Sequence, residues 1–430
     1  MATDYANIGL AAASVTQLGD ASTLKLLNSA VDAQPATRAS VDKPSEIQDL
    51  LNVVNKVLAY AKGGTTAPTL DELALLGITG VTSDSLPAVL AKIAQVPDTD
   101  VSSIDTIGEL QTLADKAKAA QAKIAAYADT NSGTTPTASD YADMGVNLPT
   151  TPGVSAAVAA AILGATNAAL ASTPIDKSKG DTPSEVQVIV DSYAKILGMA
   201  DGAINTPDSA KPTAQDYANV GLASSLTDKL AGDAGAPNLS LLNQLVDKAA
   251  ATGNVNTPAQ LETLASAVNK VMAIADQPAG ATPVAADLSN ADLAALGITG
   301  LSDSQKAAVI GALQSKAPTD VDTLAEIQAV ADAAKTSIDK IAAYAENNAG
   351  NAPTVNDYSN VGVTGVRDAA ATGLPANKDA INAALATNNA TGVSRSEADT
   401  PAEIQVIVNS YNKLLAQADG TASNTESLAS

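Results

Sequence analysis

The chain has 430 residues, with 46 Asp and Glu against 24 Lys and Arg, for a formal net charge of −22. It contains no Cys and no His, which excludes disulfides, thiolate nucleophiles and thiolate metal sites and removes the commonest general base and metal ligand. The acidic surface repels nucleic-acid phosphates and anionic membranes. The 46% apolar content includes no Phe, no Trp and nine Tyr, so Leu, Ile, Val and Ala must fill many thin cores in place of one thick core.

The chain opens on Asp4-Tyr5-Ala6-Asn7-Ile8-Gly9-Leu10, a short helical stretch closed by Gly and an apolar residue. The same closure recurs at Gly77-Ile78, Gly145-Val146, Gly221-Leu222, Gly297-Ile298 and Gly362-Val363. Gly suits the left-handed residue that ends a helix, and the apolar residue after it folds back on the last turn. Four residues before each Gly stands a large side chain: Tyr5, Leu73, Tyr141, Tyr217, Leu293 or Tyr358. Thr137 to Asp140, Thr213 to Asp216 and Thr354 to Asp357 supply the start signal, a Thr followed three residues later by an acid. In the first copy Met1 stands where Pro-Thr is expected, so Met1 reads as a start codon added to a piece of a longer protein. No signal peptide is visible at the start, and no window reaches the roughly 18 apolar residues of a membrane span.

A second signal opens a longer helix: Lys43 to Glu46, Thr106 to Glu109, Thr182 to Glu185, Thr257 to Gln260, Thr323 to Glu326 and Thr400 to Glu403. It is a capping box, with Pro at the first helical position in four copies. The apolar set that follows, such as Val186, Ile189, Val190, Tyr193, Ile196 and Leu197, marks one face of an amphipathic helix. A third apolar stretch lies between the two signals, for example Leu86 to Ile93, Val154 to Leu163, Leu239 to Val246 and Ala380 to Leu385.

These elements predict an all-α fold: an elongated tandem array of six three-helix-bundle repeats. The expected repeats are 1–63, 64–131, 132–202, 203–277, 278–348 and 349–420, with 421–430 as a polar linker or tail. Repeats one and four, two and five, and three and six resemble each other pairwise, so a three-repeat block is present twice. Stacked end to end, such bundles predict a rod on the order of 200 Å, with the stretches Thr130 to Thr135 and Asn347 to Asn351 as bends. In four repeats a Lys follows the capping residue by ten positions (Lys56, Lys195, Lys270, Lys413); in repeats two and five Lys123 and Lys340 follow it by fourteen. The four extra residues add about one turn to helix three, expected to protrude and to offer an assembly contact.

Among chemical readings, no nucleophile elbow, phosphate loop or dinucleotide fingerprint appears, and the recurring Glu residues are explained as caps, so the chain reads as a non-enzyme. The Tyr residues fall at helical spacing and are expected in the core with the hydroxyl at the rim. The acidic loops around Asp98, Asp100 and Asp105, matched by Asp320 and Asp322, are candidates for calcium, since that ion takes several carboxylate and carbonyl oxygens. Capping and solubility explain the same residues.

The start motif of Pro353 to Val363 (PT-x-x-DY…G-V) and the helix Asp399 to Tyr411 (DTP-x-E-I-Q-x-I-V-x-S-Y) resemble the helical tandem repeats of giant bacterial surface proteins, including biofilm-associated adhesins. The resemblance covers essentially the whole chain and rests on caps and core positions. It implies an extracellular or cell-surface location. The first functional reading is an adhesin stalk or spacer; the others are a self-assembling S-layer or fibre subunit and a helical module that binds a host or partner protein. The expected partners are neighbouring repeats of a longer chain, the chain itself or another surface protein, with no nucleic acid and no membrane insertion.

Overall fold

The computed structural model describes residues 2–35, 37, 41–97, 99–131, 133–150, 154–172, 177–205, 207, 210–231, 236–251, 253–277, 288–347, 350–369, 375–386 and 398–418. Among them the fold is all-α, with no strand beyond one isolated bridge between Asp201 and Ala250. The predicted linker 421–430 lies outside the described residues, as do parts of both expected bends.

The chain divides into two compact units. One comprises Met1–Met199, Asp216–Gly221 and Ala251–Pro258; the other comprises Ala200–Gln215, Leu222–Ala250 and Ala259–Ser430. Segment 1–63 carries α1 (Ala2–Asn7), α2 (Ala12–Gln17), α3 (Ala21–Asp32) and α4 (Pro44–Ala61), and segment 64–131 carries α5 (Leu70–Leu75), α6 (Leu86–Ala94) and α7 (Ile107–Thr130). Segment 132–202 follows with α8 (Ala138–Met144), α9 (Ala156–Leu170) and α10 (Pro183–Met199), and segment 203–277 with α11 (Ala214–Asn219), α12 (Ser224–Leu230), α13 (Pro237–Lys248) and α14 (Pro258–Ala275). Segment 278–348 has α15 (Asn290–Ala295), α16 (Asp303–Gln314) and α17 (Leu324–Asn347); segment 349–420 has α18 (Val355–Asn360), α19 (Lys378–Ala386) and α20 (Pro401–Gln417).

The expectation of three helices per segment fails in segments 1–63 and 203–277, where α2 and α12 intervene. Each is under two turns, too short for an apolar period to register. They form because a buried Leu, Leu18 or Leu230, pins the stretch to the core, and Ser14 of α2 donates to Gln48 Oε1 of α4 at 2.8 Å.

The closing motif forms as the sequence predicts. All six closing glycines have φ between +80° and +103°. The amides after Gly9, Gly77, Gly145, Gly297 and Gly362 donate back to the carbonyls of Tyr5, Leu73, Tyr141, Leu293 and Tyr358 at 2.9–3.2 Å. Start signals close reciprocally: the Thr106 amide donates to Glu109 Oε2 at 3.1 Å and the Glu109 amide to Thr106 Oγ1 at 3.3 Å. Lys43 has no hydroxyl to accept from the helix, so only the Glu46 half of its box remains, at 3.1 Å.

In the first unit α3 packs on α4, α6 on α7, α7 on α8, and α9 on α10. In the second, α12 packs on α13, and α17 lies against α16, α18 and α19. The cores are aliphatic, as in Leu26, Leu27, Leu50, Leu51, Val54 and Val57 of α3 and α4. Each fully buried side chain of this kind contributes about 1.5–3 kcal/mol.

Helices α7 and α17 run 24 residues against 17 or 18 for α4, α10, α14 and α20. The extra turn does not protrude as a free contact. In α7, Ala117, Ala120, Ile124 and Ala128 are all buried, and α8 and the 3-10 turn Lys177–Gly180 pack along the helix. Small side chains permit this approach: a Cβ on Gly180 would meet the Ala128 methyl at 2.7 Å.

Candidate functional site

The acidic loops were the only predicted ligand site. Asp98 lies outside the described residues. Asp100 accepts from the Ser102 amide at 2.9 Å, and its hydrogen bonds to Ser102 hold its carboxyl below the usual range. Asp105 is buried against Lys25 of α3, with which it forms an ion pair. The Asp320 carboxylate accepts from the Ala317 amide at 3.3 Å and closes a one-turn 3-10 helix. Asp322 sits beside Glu326; burial first and that neighbouring acid second push its carboxyl above the usual range. Among the described residues no group of three or more Asp or Glu side chains converges in a way that could hold a metal ion.

A shallow groove of about 550 Å³ lies along the start of α7, lined by Lys92, Thr106, Glu109, Thr112, Lys116 and Asp143 among others. It mixes both charge signs and is wide open.

A different constellation recurs from segment to segment. The Lys near the middle of five of the long helices, α4, α7, α10, α14 and α17, reaches the acid in the first turn of the next short helix. Lys56 meets Glu72 at 2.7 Å, Lys123 meets Asp140 at 2.6 Å and Lys195 meets Asp216 at 2.8 Å. Lys270 meets Asp292 at 2.9 Å and Lys340 meets Asp357 at 2.6 Å. Four of these acids, Glu72, Asp140, Asp292 and Asp357, also close the capping boxes of their own helices, on Thr69, Thr137, Ser289 and Thr354. A single carboxylate thus caps one helix and ties it to the helix before. In Glu72 the Lys56 hydrogen bond is the main influence and holds the carboxyl below the usual range. In Asp140, Asp292 and Asp357 burial pushes upward most strongly, but the hydrogen bonds from Lys and from the cap outweigh it together, and all three end below that range. Two joints carry a further bond: Asn219 donates to Ser192 Oγ at 3.0 Å, and Asn360 to Ser337 Oγ at 3.2 Å. The recurrent Lys was legible in the sequence; its partner, 16 to 22 residues onward across a loop, was not.

Tyrosines at the short-helix position also find a repeated partner. Tyr141 Oη donates to Asn167 Oδ1 at 2.6 Å, Tyr358 Oη to Asn382 Oδ1 at 2.6 Å, and Tyr5 Oη to Asn28 Oδ1 at 2.7 Å. The amide of the same Asn then holds the carbonyl just before the short helix, Asn167 on Pro136 and Asn382 on Pro353, both at 2.9 Å. Tyr141, Tyr193, Tyr217 and Tyr358 are fully buried, which corrects the expectation that their hydroxyls reach the rim. Tyr60, Tyr127 and Tyr344 do lie half-buried near the ends of their helices. Among the described residues Tyr193 Oη is buried with no hydrogen-bond partner, and burial raises its pKa well above the ordinary phenol value.

Among the described residues no helix is long and apolar enough to cross a membrane. No family model, no curated protein and no solved structure matches this chain.

Proposed function

We infer that the chain is a non-enzymatic structural array of six helical repeats, with the boundaries predicted from sequence, forming a stalk or spacer in a bacterial extracellular surface protein. The observation that carries this reading is the recurring joint. Five times, a Lys on a long helix pairs with an acid in the first turn of the next short helix. A chain that invests the same side chains at each junction, with a different loop each time, is organised around joining units, as expected when stability is a sum of repeat and interface terms. The surface location rests on the adhesin-like repeat motifs, and the net charge of −22 suits a solvated exterior.

Pulling the chain by its ends in an optical trap tests the array. Repeats that unfold one after another release on the order of 240 Å of contour per event, at about 70 residues and ~3.4 Å each. Several such steps are expected. A single all-or-none extension would overturn the reading. Antibody labelling of intact cells of the source organism tests location: staining only after permeabilisation would remove the surface assignment.

A further inference from the structure

The groove along the start of α7 holds a lysine that no carboxylate pairs with. It lies where α6 packs on α7 and α8, and its volume is about 550 Å³. Lys92 of α6 stands half-buried in its wall. Among the described residues its Nζ makes one hydrogen bond, to the amide oxygen of Gln95 at 3.0 Å. Lys116 of α7 lines the same groove, exposed and without an ion pair among the described residues. The acids of the groove do not neutralise the two. Glu109 accepts from the Thr106 amide and hydroxyl at 3.1 and 2.8 Å and so closes the cap. Asp143 accepts from Ser139 at 3.4 Å and forms no ion pair with Lys92.

Burial is the largest influence on Lys92 and pulls its pKa below the usual lysine range; the Asp143 charge opposes this and the Lys116 charge adds to it. A lysine desolvated beside another cation keeps more of its amine neutral, the form that attacks a carbonyl carbon. Lys116 then serves as the counter-charge for an anionic group on the molecule attacked. In a chain of net charge −22, such a pair is a local point of attraction for a small anion.

The matched segment 278–348 lacks these charges. Ala91 of α6 lies against Gly145 as Gly311 of α16 lies against Gly362, so Lys92 falls at the place of Ala312. Lys116, seven residues after Glu109, falls at Ala333, seven after Glu326. Asp143, six after Thr137, falls at Asn360, six after Thr354. The same helices therefore pack with Ala at both lysine positions, and packing does not account for the charges of the groove.

We propose that Lys92 is a covalent attachment site, forming an imine with small carbonyl compounds of the 2-oxo acid class whose carboxylate is held by Lys116. The Nζ lone pair attacks the carbonyl carbon to give a carbinolamine. The two amine hydrogens and the carbonyl oxygen then leave as one water, and C=N replaces C=O. The step needs no oxidant or reductant, and water entering the open groove reverses it. This site goes beyond the stalk reading and does not depend on it.

Reductive trapping on the full chain tests the proposal. Glyoxylate, or the neutral acetaldehyde, is added with cyanoborohydride, and each lysine is quantified by peptide mass spectrometry. The exposed Lys229 and Lys248 serve as internal standards. Lys92 is expected to react with glyoxylate about tenfold faster than the standards. Its preference for glyoxylate over acetaldehyde, relative to theirs, should disappear in Lys116→Ala and persist in Lys116→Arg, which keeps the charge. Lys116→Ala installs the residue that segment 278–348 carries, so the fold tolerates it. Labelling of Lys92 no faster than of Lys229 would overturn the proposal. Fast labelling with the same preference at every lysine would overturn it too, because the groove would then select no anion. Stepwise unfolding under force is untouched by either result.

Discussion

At the scale of single residues, the buried Asn does more than its size indicates. Asn167 accepts from Tyr141 and donates to the Pro136 carbonyl, so one side chain satisfies two polar groups inside an aliphatic core. Replacing it by Leu would leave a buried hydroxyl and a buried carbonyl unpaired, each costing about 1–3 kcal/mol. Asn167→Leu is therefore expected to lower stability by about 2–3 kcal/mol, read as a fall in the urea midpoint. Tyr141→Phe combined with Asn167→Leu should cost less than the sum of the single changes, by about 1 kcal/mol in a double-mutant cycle. Additive costs would show that the bond carries no coupling. Segments 64–131 and 278–348 place Leu73 and Leu293 at the Tyr position, which need no such partner. The Tyr was visible in the sequence because it keeps a fixed distance to the closing Gly. Its Asn was not, because the loops between them differ in length and put it 23, 26 or 24 residues onward.

Whole helices show the reverse: what is local was legible and what is tertiary was not. Caps are set by residues three to five apart, so the starts of α5, α7, α8, α18 and α20 follow from Thr, Glu and Asp, and the ends of α5, α8 and α18 from Gly. The short helices α2 and α12 are held by one buried Leu each and escaped the periodic reading. How closely a cap is packed is tertiary as well, and it separates glycines of equal backbone conformation. Gly297 has φ +81° and open space around an added Cβ; Gly362 has φ +80°, but a Cβ there would overlap the backbone of Gly311 in α16. Gly297→Ala should thus cost only the left-handed penalty, about 1–2 kcal/mol. Gly362→Ala must in addition push α16 away from the α18 cap, which α17 and α20 also support through their contacts with α16. Its loss should exceed that of Gly297→Ala by about 1–3 kcal/mol, the range for overpacking. Equal thermal shifts in the two variants would mean that α16 yields freely.

For the whole molecule, two electrostatic effects of opposite sign compete. The excess of 46 acids over 24 bases repels itself and favours expansion. The joints Lys56–Glu72, Lys123–Asp140, Lys270–Asp292 and Lys340–Asp357 attract, with each acid held below its usual range. A carboxyl whose folded pKa is depressed contributes stability above its unfolded value, near 3.9 for Asp and 4.3 for Glu, and loses it as pH falls through the folded value. Acidification from pH 7 first protonates ordinary surface acids and relieves repulsion while the joints stay ionised. The melting temperature should therefore hold or rise down to about pH 5, then fall below about pH 4 as the joint acids protonate. Asp322, whose carboxyl is raised, runs the other way and is relieved by acid. Salt separates the two effects at constant pH. The joint pairs are partly exposed, with lysines 24–35% accessible, so each is worth no more than about 1 kcal/mol and is partly screened. Repulsion among many surface acids is screened too, over about 8–10 Å at moderate ionic strength. Because the unpaired acids outnumber the joints, added sodium chloride at pH 7 should raise the melting temperature. A fall with salt would mean that the joints outweigh the surface repulsion, and Lys123→Met should then flatten that dependence.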